Sequence, residues 1–182
     1  MKPEAQSAAD TAQPPEVDAP DAEALYQRLR EAVRGQLGDD GVVVGIWTGG
    51  AWLVERLQAD LGLGGRAGVI SSALHRDDFG QRGLASGTDA TRLPFGIDGR
   101  RIVLVDDVLY TGRTVRAVLN ELFDFGRPAS VELMVLVDRG GRQLPIAPGF
   151  AAATILLAPT HGLRLQRADD GRLSLVVEPR RG

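Results

Sequence analysis

Two carboxylates side by side, Asp106 and Asp107, follow the apolar run Ile102-Val103-Leu104-Val105. After the short link Val108-Leu109-Tyr110 comes Thr111-Gly112-Arg113-Thr114, which opens a segment with Val115, Val118, Leu119 and Leu122 at helical spacing. The first N–H groups of a helix have no intrahelical partner and carry partial positive charge, so such a start receives a phosphate. Two hydroxyls and a guanidinium add donors there, and Gly112 lets the backbone approach closely. The adjacent acids repel phosphate but suit neutral hydroxyls, such as a ribose diol, or a hydrated divalent cation. A phosphate cradle beside a diol-binding acid pair describes a sugar phosphate. Paired acids after a strand are often only solvated turn residues; it is the order of run, acid pair, link and Thr-Gly-Arg-Thr that lifts the reading above that.

Those residues need a frame that brings them to one edge. Val42–Trp47 is β-branched without polar alternation, the pattern of a strand covered on both faces. Thr48-Gly49-Gly50 follows, then a helix with Leu53, Leu57 and Leu61 at i, i+4. Further strands are expected near Gly68–Ala73, Arg101–Val105, Val131–Val137, Thr154–Ala158 and Leu173–Val177. A helix capped by Asp21 should run to about Arg34 and end at Gly35 and Gly38. Strands alternating with helices predict an α/β fold, a doubly wound and mostly parallel sheet with helices on both faces. In such sheets ligands bind beyond the carboxyl ends of the strands. Thr48-Gly49-Gly50, Asp106-Asp107 and Asp138-Arg139-Gly140 should therefore converge there.

Composition narrows the function. The chain has 182 residues, 43% apolar and 25% charged, which suits one core. Residues 1–20 are acidic and Pro-rich, without apolar periodicity, and read as a disordered tail ahead of one domain at 21–182. No cysteine is present, which excludes disulfides, thiolate metal sites and thiol catalysis. Lys2 is the only lysine, so a P-loop, a Schiff-base enzyme and a phosphorylated receiver domain are excluded. Net charge is −3, with the basic excess confined to residues 99–182 (12 basic, 9 acidic), a weak footprint for a nucleic-acid binder. No apolar run reaches the ~20 residues of a membrane span, and no signal peptide is legible; a cytoplasmic protein is expected. His75 and His161 are too far apart to suggest a transition-metal pair. Trp47 and Trp52 read as packing residues, Arg180-Arg181 as a frayed end, and residues 76–99 as a long functional loop with a short hairpin.

Arg101–Thr114, RIVLVDDVLYTGRT, resembles the phosphoribosyl pyrophosphate (PRPP) signature of type I phosphoribosyltransferases. LHRDDF (74–79), GRPAS (126–130), VLVDRG (135–140) and LPI (144–146) are similar, in order and spacing, to the PyrR family of pyrimidine-operon regulators and uracil phosphoribosyltransferases. The resemblance spans about Gly41 to Ile146. It implies the type I phosphoribosyltransferase fold with a flexible hood, and transfer from PRPP to uracil giving UMP and pyrophosphate with Mg²⁺. Asp106 and Asp107 would act as catalytic residues, holding the ribose hydroxyls and the metal through water. Thr111, Gly112, Arg113 and Thr114 would cradle the 5′-phosphate, and Thr48, Gly49 and Gly50 would form the pyrophosphate loop. Val137, Asp138 and Arg139 would bind the base. Arg76, also counted as catalytic, would begin with Asp77 and Asp78 the hood that closes over PRPP.

The resemblance also exposes departures. Relatives commonly carry Lys-Thr-Arg-Gly where this chain has Trp47-Thr48-Gly49-Gly50. Gly141 stands where relatives often have His, and Ala147 where they often have Arg. These losses disfavour RNA as a partner. Two alternatives remain open: a UMP- or PRPP-sensing regulator that binds pyrimidine-operon mRNA with little catalysis, and a relative acting on another base. A homo-oligomer is expected by resemblance.

Overall fold

The computed structural model describes residues 18–71 and 90–180. Helix α1 (Ala22–Leu37) starts where expected, with Asp21 accepting hydrogen bonds from the Glu23 and Ala24 amides. It runs through Gly35 and stops at Gly38, whose φ of 56° suits a residue without a Cβ. Strand β1 (Val42–Ile46) is buried throughout, and α2 (Gly49–Leu61) and β2 (Ala67–Ile70) follow. Then come β3 (Arg101–Leu109), α3 (Arg113–Asp124), β4 (Ser130–Asp138), β5 (Phe150–Thr154), β6 (His161–Arg167) and β7 (Leu173–Pro179).

Five strands form one parallel sheet in the order β2-β1-β3-β4-β5, and β6 and β7 form an antiparallel hairpin. The order reverses between β1 and β3. The chain passes outward from β1 through α2 to β2, then returns to the other side of β1 and proceeds outward through α3 to β4. Because β-α-β crossovers are right-handed, opposite directions place α2 and α3 on opposite faces. The core divides accordingly. Val43, Val103, Val105, Met134 and Leu136 pack beneath α1, α2 and the hairpin. Val44, Ile102, Leu104 and Val135 pack against Val115, Val118 and Leu122 of α3. The doubly wound sheet of the sequence reading is what the chain adopts. No described helix is long and apolar enough to cross a membrane.

Three expectations are corrected. The strand bearing the acid pair does not end at Val105: β3 continues to Leu109 because β4 remains beside it, with Asp106 paired to Val135, Val108 to Val137 and Leu109 to Asp138. The strand placed at Thr154–Ala158 lies at Phe150–Thr154 instead, where Met134, Val135, Val137 and Asp138 of β4 face it. Its last rung is the Ile155 amide donating to the Asp138 carbonyl. No strand is expected between Ala158 and Leu173, yet β6 begins at His161. There Leu163 and Leu165 alternate with Arg164 and Gln166, and the hairpin reverses at Asp169-Asp170-Gly171, where Gly171 has φ 84°.

Candidate functional site

The reversal of strand order opens a crevice at the carboxyl ends of β1 and β3, where Thr48-Gly49-Gly50 and Asp106-Asp107 meet. The β1–β3 register ends at Gly45 opposite Val105, so the acid pair stands just past the end of β1. The space this leaves is occupied by the start of α2, and it fits only glycine. A Cβ on Gly49 would fall inside the Asp107 carboxylate, one on Gly50 would strike the Val105 carbonyl, and one on Gly45 would strike the Gly50 carbonyl. The Asp107 carboxylate therefore lies against the first residue of α2, an end that favours negative charge. The Trp47–Thr48 peptide is cis, and the Trp52 amide donates to the Thr48 carbonyl.

Asp106 is 6% exposed and accepts a hydrogen bond from the Asp107 amide, whereas Asp107 is partly exposed. Among the described residues, no group of three or more His, Cys, Asp or Glu side chains could hold a metal alone. A divalent cation at this pair would thus be completed by water and ligand oxygens, the usual manner of Mg²⁺.

Beyond β3, Gly112 caps α3 with φ 87°, and the Thr111 hydroxyl accepts from the Arg113 amide. No acidic residue occupies the first turn of α3. The Thr111 carbonyl accepts from the Gln143 and Leu144 amides, which ties the cradle to the loop after β4. Ile146 packs so close to Gly112 that a Cβ there would come within 3.3 Å of it. Thr111 to Thr114 thus lie on a surface braced from behind, with Arg113 exposed.

The third cluster stands at the end of β4. Val137 is fully buried. Both oxygens of the Asp138 carboxylate accept from the single Arg142 Nη2, at 2.7 and 2.6 Å, and Oδ1 also accepts from the Gly140 amide. Arg142 reaches across to the Tyr110 carbonyl at the end of β3. Asp138 is therefore a clamp for the loop, and its carboxylate is already engaged. Arg139 is 4% exposed and its guanidinium lies 3.8 Å from the centre of the Tyr110 ring. Burial pushes its pKa below the ordinary arginine value.

Several contributors were not read as such in the sequence. Tyr110 sits within the signature, but its type suggests only packing. Arg142 falls four residues after Asp138 in a loop, where i, i+4 spacing carries no helical meaning. Arg180, expected to fray, donates its amide to the Thr160 carbonyl and stacks over Tyr110 at 4.7 Å. Thr91 bonds the Ser71 amide and the Glu121 carboxylate of α3. Arg92 pairs with Val69 at the edge of β2, and Ala90 accepts from Trp47 Nε1. Arg76, Asp77, Asp78 and His75 lie outside the described residues, as does most of the loop expected at 76–99.

Two grooves lie elsewhere. One of about 370 Å³ is lined by Trp47, Trp52, Pro94 and Arg167; another of about 660 Å³ runs between α2 and the hairpin. Both follow the outer face of α2. Among the described residues, acids, a helix start and close glycine contacts converge at the crevice at the strand ends.

Comparison with known proteins agrees with this geometry. The family described as "Phosphoribosyl transferase domain" matches residues 18–150. A "Bifunctional protein PyrR" from Ralstonia nicotianae is 52% identical over 167 residues, covering 88% of this chain and 95% of that protein. One of the same name from Nitrosococcus oceani is 45% identical over 161 residues, covering 87% and 89%. Among solved structures, a hypoxanthine-guanine phosphoribosyltransferase from Bacillus anthracis superposes with a TM-score of 0.55 at 17% identity, over 76% of this chain and 84% of its own. The hypoxanthine phosphoribosyltransferase from Trypanosoma cruzi, in complex with the product IMP, gives 0.54 at 22%, over 80% and 85%. At such identities the solved structures speak for the fold alone.

Proposed function

Because the chain belongs to the PyrR family of phosphoribosyltransferases, we propose that it transfers the phosphoribosyl group of PRPP to uracil, releasing UMP and pyrophosphate. The observation that carries this reading is the start of α3, free of acids in its first turn, a few residues along the chain from the Asp106-Asp107 pair. In this reading Thr111, Gly112, Arg113 and Thr114 hold the 5′-phosphate. Asp106 and Asp107 accept hydrogen bonds from the ribose hydroxyls. Thr48, Gly49 and Gly50 face the pyrophosphate, and the end of β4 at Val137, Asp138 and Arg139 receives the base.

Bond breaking at the anomeric carbon develops positive charge on the ribose and negative charge on the departing pyrophosphate. The protein's part is to hold both reactants in line and to match those charges. The carboxylates at the ribose face the positive charge. Asp106 and Asp107 would hold Mg²⁺ through water, and the ion would supply electrophilic stabilisation of the leaving group. With no lysine or arginine among residues 47–50, the amides of the loop and the start of α2 are its local donors to pyrophosphate. Arg76 and its neighbours at 77 and 78 would serve the closing hood.

The cation-free loop also favours a second reading, in which the protein senses UMP or PRPP as a pyrimidine-operon mRNA regulator and turns over slowly. One assay separates the two. With PRPP, Mg²⁺ and each nucleobase in turn, the protein should form nucleotide with uracil alone. Nucleotide formed from another base would reassign the substrate. No turnover, with UMP still protecting the protein against heat, would favour the sensor.

A further inference from the structure

Both tryptophans of the chain, Trp47 and Trp52, line the groove of about 370 Å³ on the outer face of α2, and the transfer reaction uses neither indole. Arg92, Pro94 and Arg167 border it with them. A space of this size suits a small ligand, for which about 300–1,000 Å³ is usual. The groove is separate from the crevice. Gly49 and Gly50 meet Asp107 and Val105 at the crevice, whereas the groove takes the face of α2 that carries Trp52 and Glu55.

Its walls are fixed on both sides. Val69 and Arg92 exchange backbone hydrogen bonds of 2.9 and 2.8 Å, which roots Arg92 against the edge of β2. Gly68 lies so close to this segment that a Cβ there would come within 2.9 Å of the Arg92 carbonyl. Pro94 has no N–H with which to continue the pairing opposite Ala67, so the ladder stops there. The Trp47 indole donates Nε1–H to the Ala90 carbonyl at 3.3 Å. On the other side Glu55 accepts from Arg167 at 2.6 Å, and that guanidinium lies 5.1 Å from the centre of the Trp52 ring system. A guanidinium held over a ring keeps in-plane N–H groups for anionic oxygens. Among the described residues, the Arg92 side chain has no hydrogen bond or ion pair. Arg92 and Arg167 outnumber Glu55, which makes the groove net cationic in a chain of net charge −3.

We propose that this groove is a second binding site, for a small planar aromatic anion: one flat ring system carrying a single phosphate or carboxylate. The ring stacks on an indole, a contact tolerant of ring identity. The anionic group is met by Arg92 and by the in-plane edge of Arg167. A neutral ring or a bare anion uses half of the site. Crevice and groove can be filled together, whichever base the crevice takes.

Because both tryptophans border the groove, indole fluorescence reports its occupancy. The full chain is titrated with and without saturating PRPP and Mg²⁺. AMP and benzoate offer the required chemistry as a nucleotide and as a carboxylic acid; adenosine and ribose 5-phosphate each offer half of it. AMP, benzoate or both should change the fluorescence saturably, with adenosine and ribose 5-phosphate at least about tenfold weaker. A response to AMP alone would identify a nucleotide, and one to benzoate alone a carboxylic acid, each in support. Arg92→Gln should weaken the bound anion about fivefold or more and leave adenosine unchanged. Trp52→Ala should weaken it about tenfold. If Trp52→Ala fails to fold, the exposed pair Arg92→Gln and Arg167→Gln decide by the same titration. No saturable response to AMP or benzoate would overturn the inference and leave phosphoribosyl transfer standing. So would a response unchanged in both arginine variants, or one abolished by PRPP, which would place the ligand in the crevice.

Discussion

At the scale of single residues, the crevice is set by contacts that tolerate no added atom. Gly49 lies beneath the Asp107 carboxylate, so Gly49→Ala must displace either the carboxylate or the first turn of α2. Overpacking of this kind costs about 1–3 kcal/mol. We expect that loss in denaturant unfolding, with a fall of at least about tenfold in nucleotide formation because positioning is the catalytic device. Arg142 gives a complementary case. Its removal leaves the largely buried Asp138 carboxylate without its guanidinium partner, and Arg142→Ala should lower stability by about 1–3 kcal/mol in the same measurement. Neither feature was legible in sequence. Gly49 was readable as a loop glycine, but the carboxylate above it depends on the register of β1 against β3. The Asp138–Arg142 pair depends on a loop conformation that residue types do not dictate.

Among the elements, α1 gives the sharpest predictions. Asp21 caps two amides, and Asp21→Ala should cost about 0.5–2 kcal/mol, read as a lower thermal midpoint. Tyr26 on the same helix is fully buried, with its hydroxyl donating to Asp60 at 2.7 Å and Arg56 over its ring at 4.1 Å. Burial first, and the Asp60 hydrogen bond second, hold its pKa above the ordinary tyrosine range. The folded protein then keeps a proton that the unfolded chain releases near pH ~10. That part of the stability is complete below about pH 10 and is lost as pH rises toward the folded value. Unfolding free energy should decline across this alkaline range, and Tyr26→Phe should flatten the decline. Long apolar strands and capped helices were legible because burial on both faces leaves a continuous β-branched or leucine pattern. Strand β5 was displaced in the reading because Ala151-Ala152-Ala153 has little strand preference and is held by pairing to β4. Strand β6 was missed because its alternation is only partly apolar.

For the whole molecule, charge and topology point in different directions. The reversed strand order brings the Asp106-Asp107 pair and the glycine turn before α2 together at the carboxyl ends of the strands. The formal charge of −3 and the single lysine supply few of the phosphate contacts that RNA binding requires. Arg142 is committed to an intramolecular pair, and Gly141 presents no side chain. Filter binding at low salt should therefore show weak association with a pyrimidine-operon leader and little preference over unrelated RNA. Tight, sequence-selective binding would establish RNA recognition despite this balance.

In the proposed arrangement the start of α3 takes the phosphate of a sugar whose hydroxyls rest on Asp106 and Asp107. A crystal structure of the protein with PRPP and Mg²⁺ measures it directly. The 5′-phosphate is expected on the amides of Gly112 to Thr114, with the ribose hydroxyls within hydrogen-bonding distance of both carboxylates. PRPP seated in the groove beside Trp52, or bound with its ribose away from Asp106 and Asp107, would contradict it.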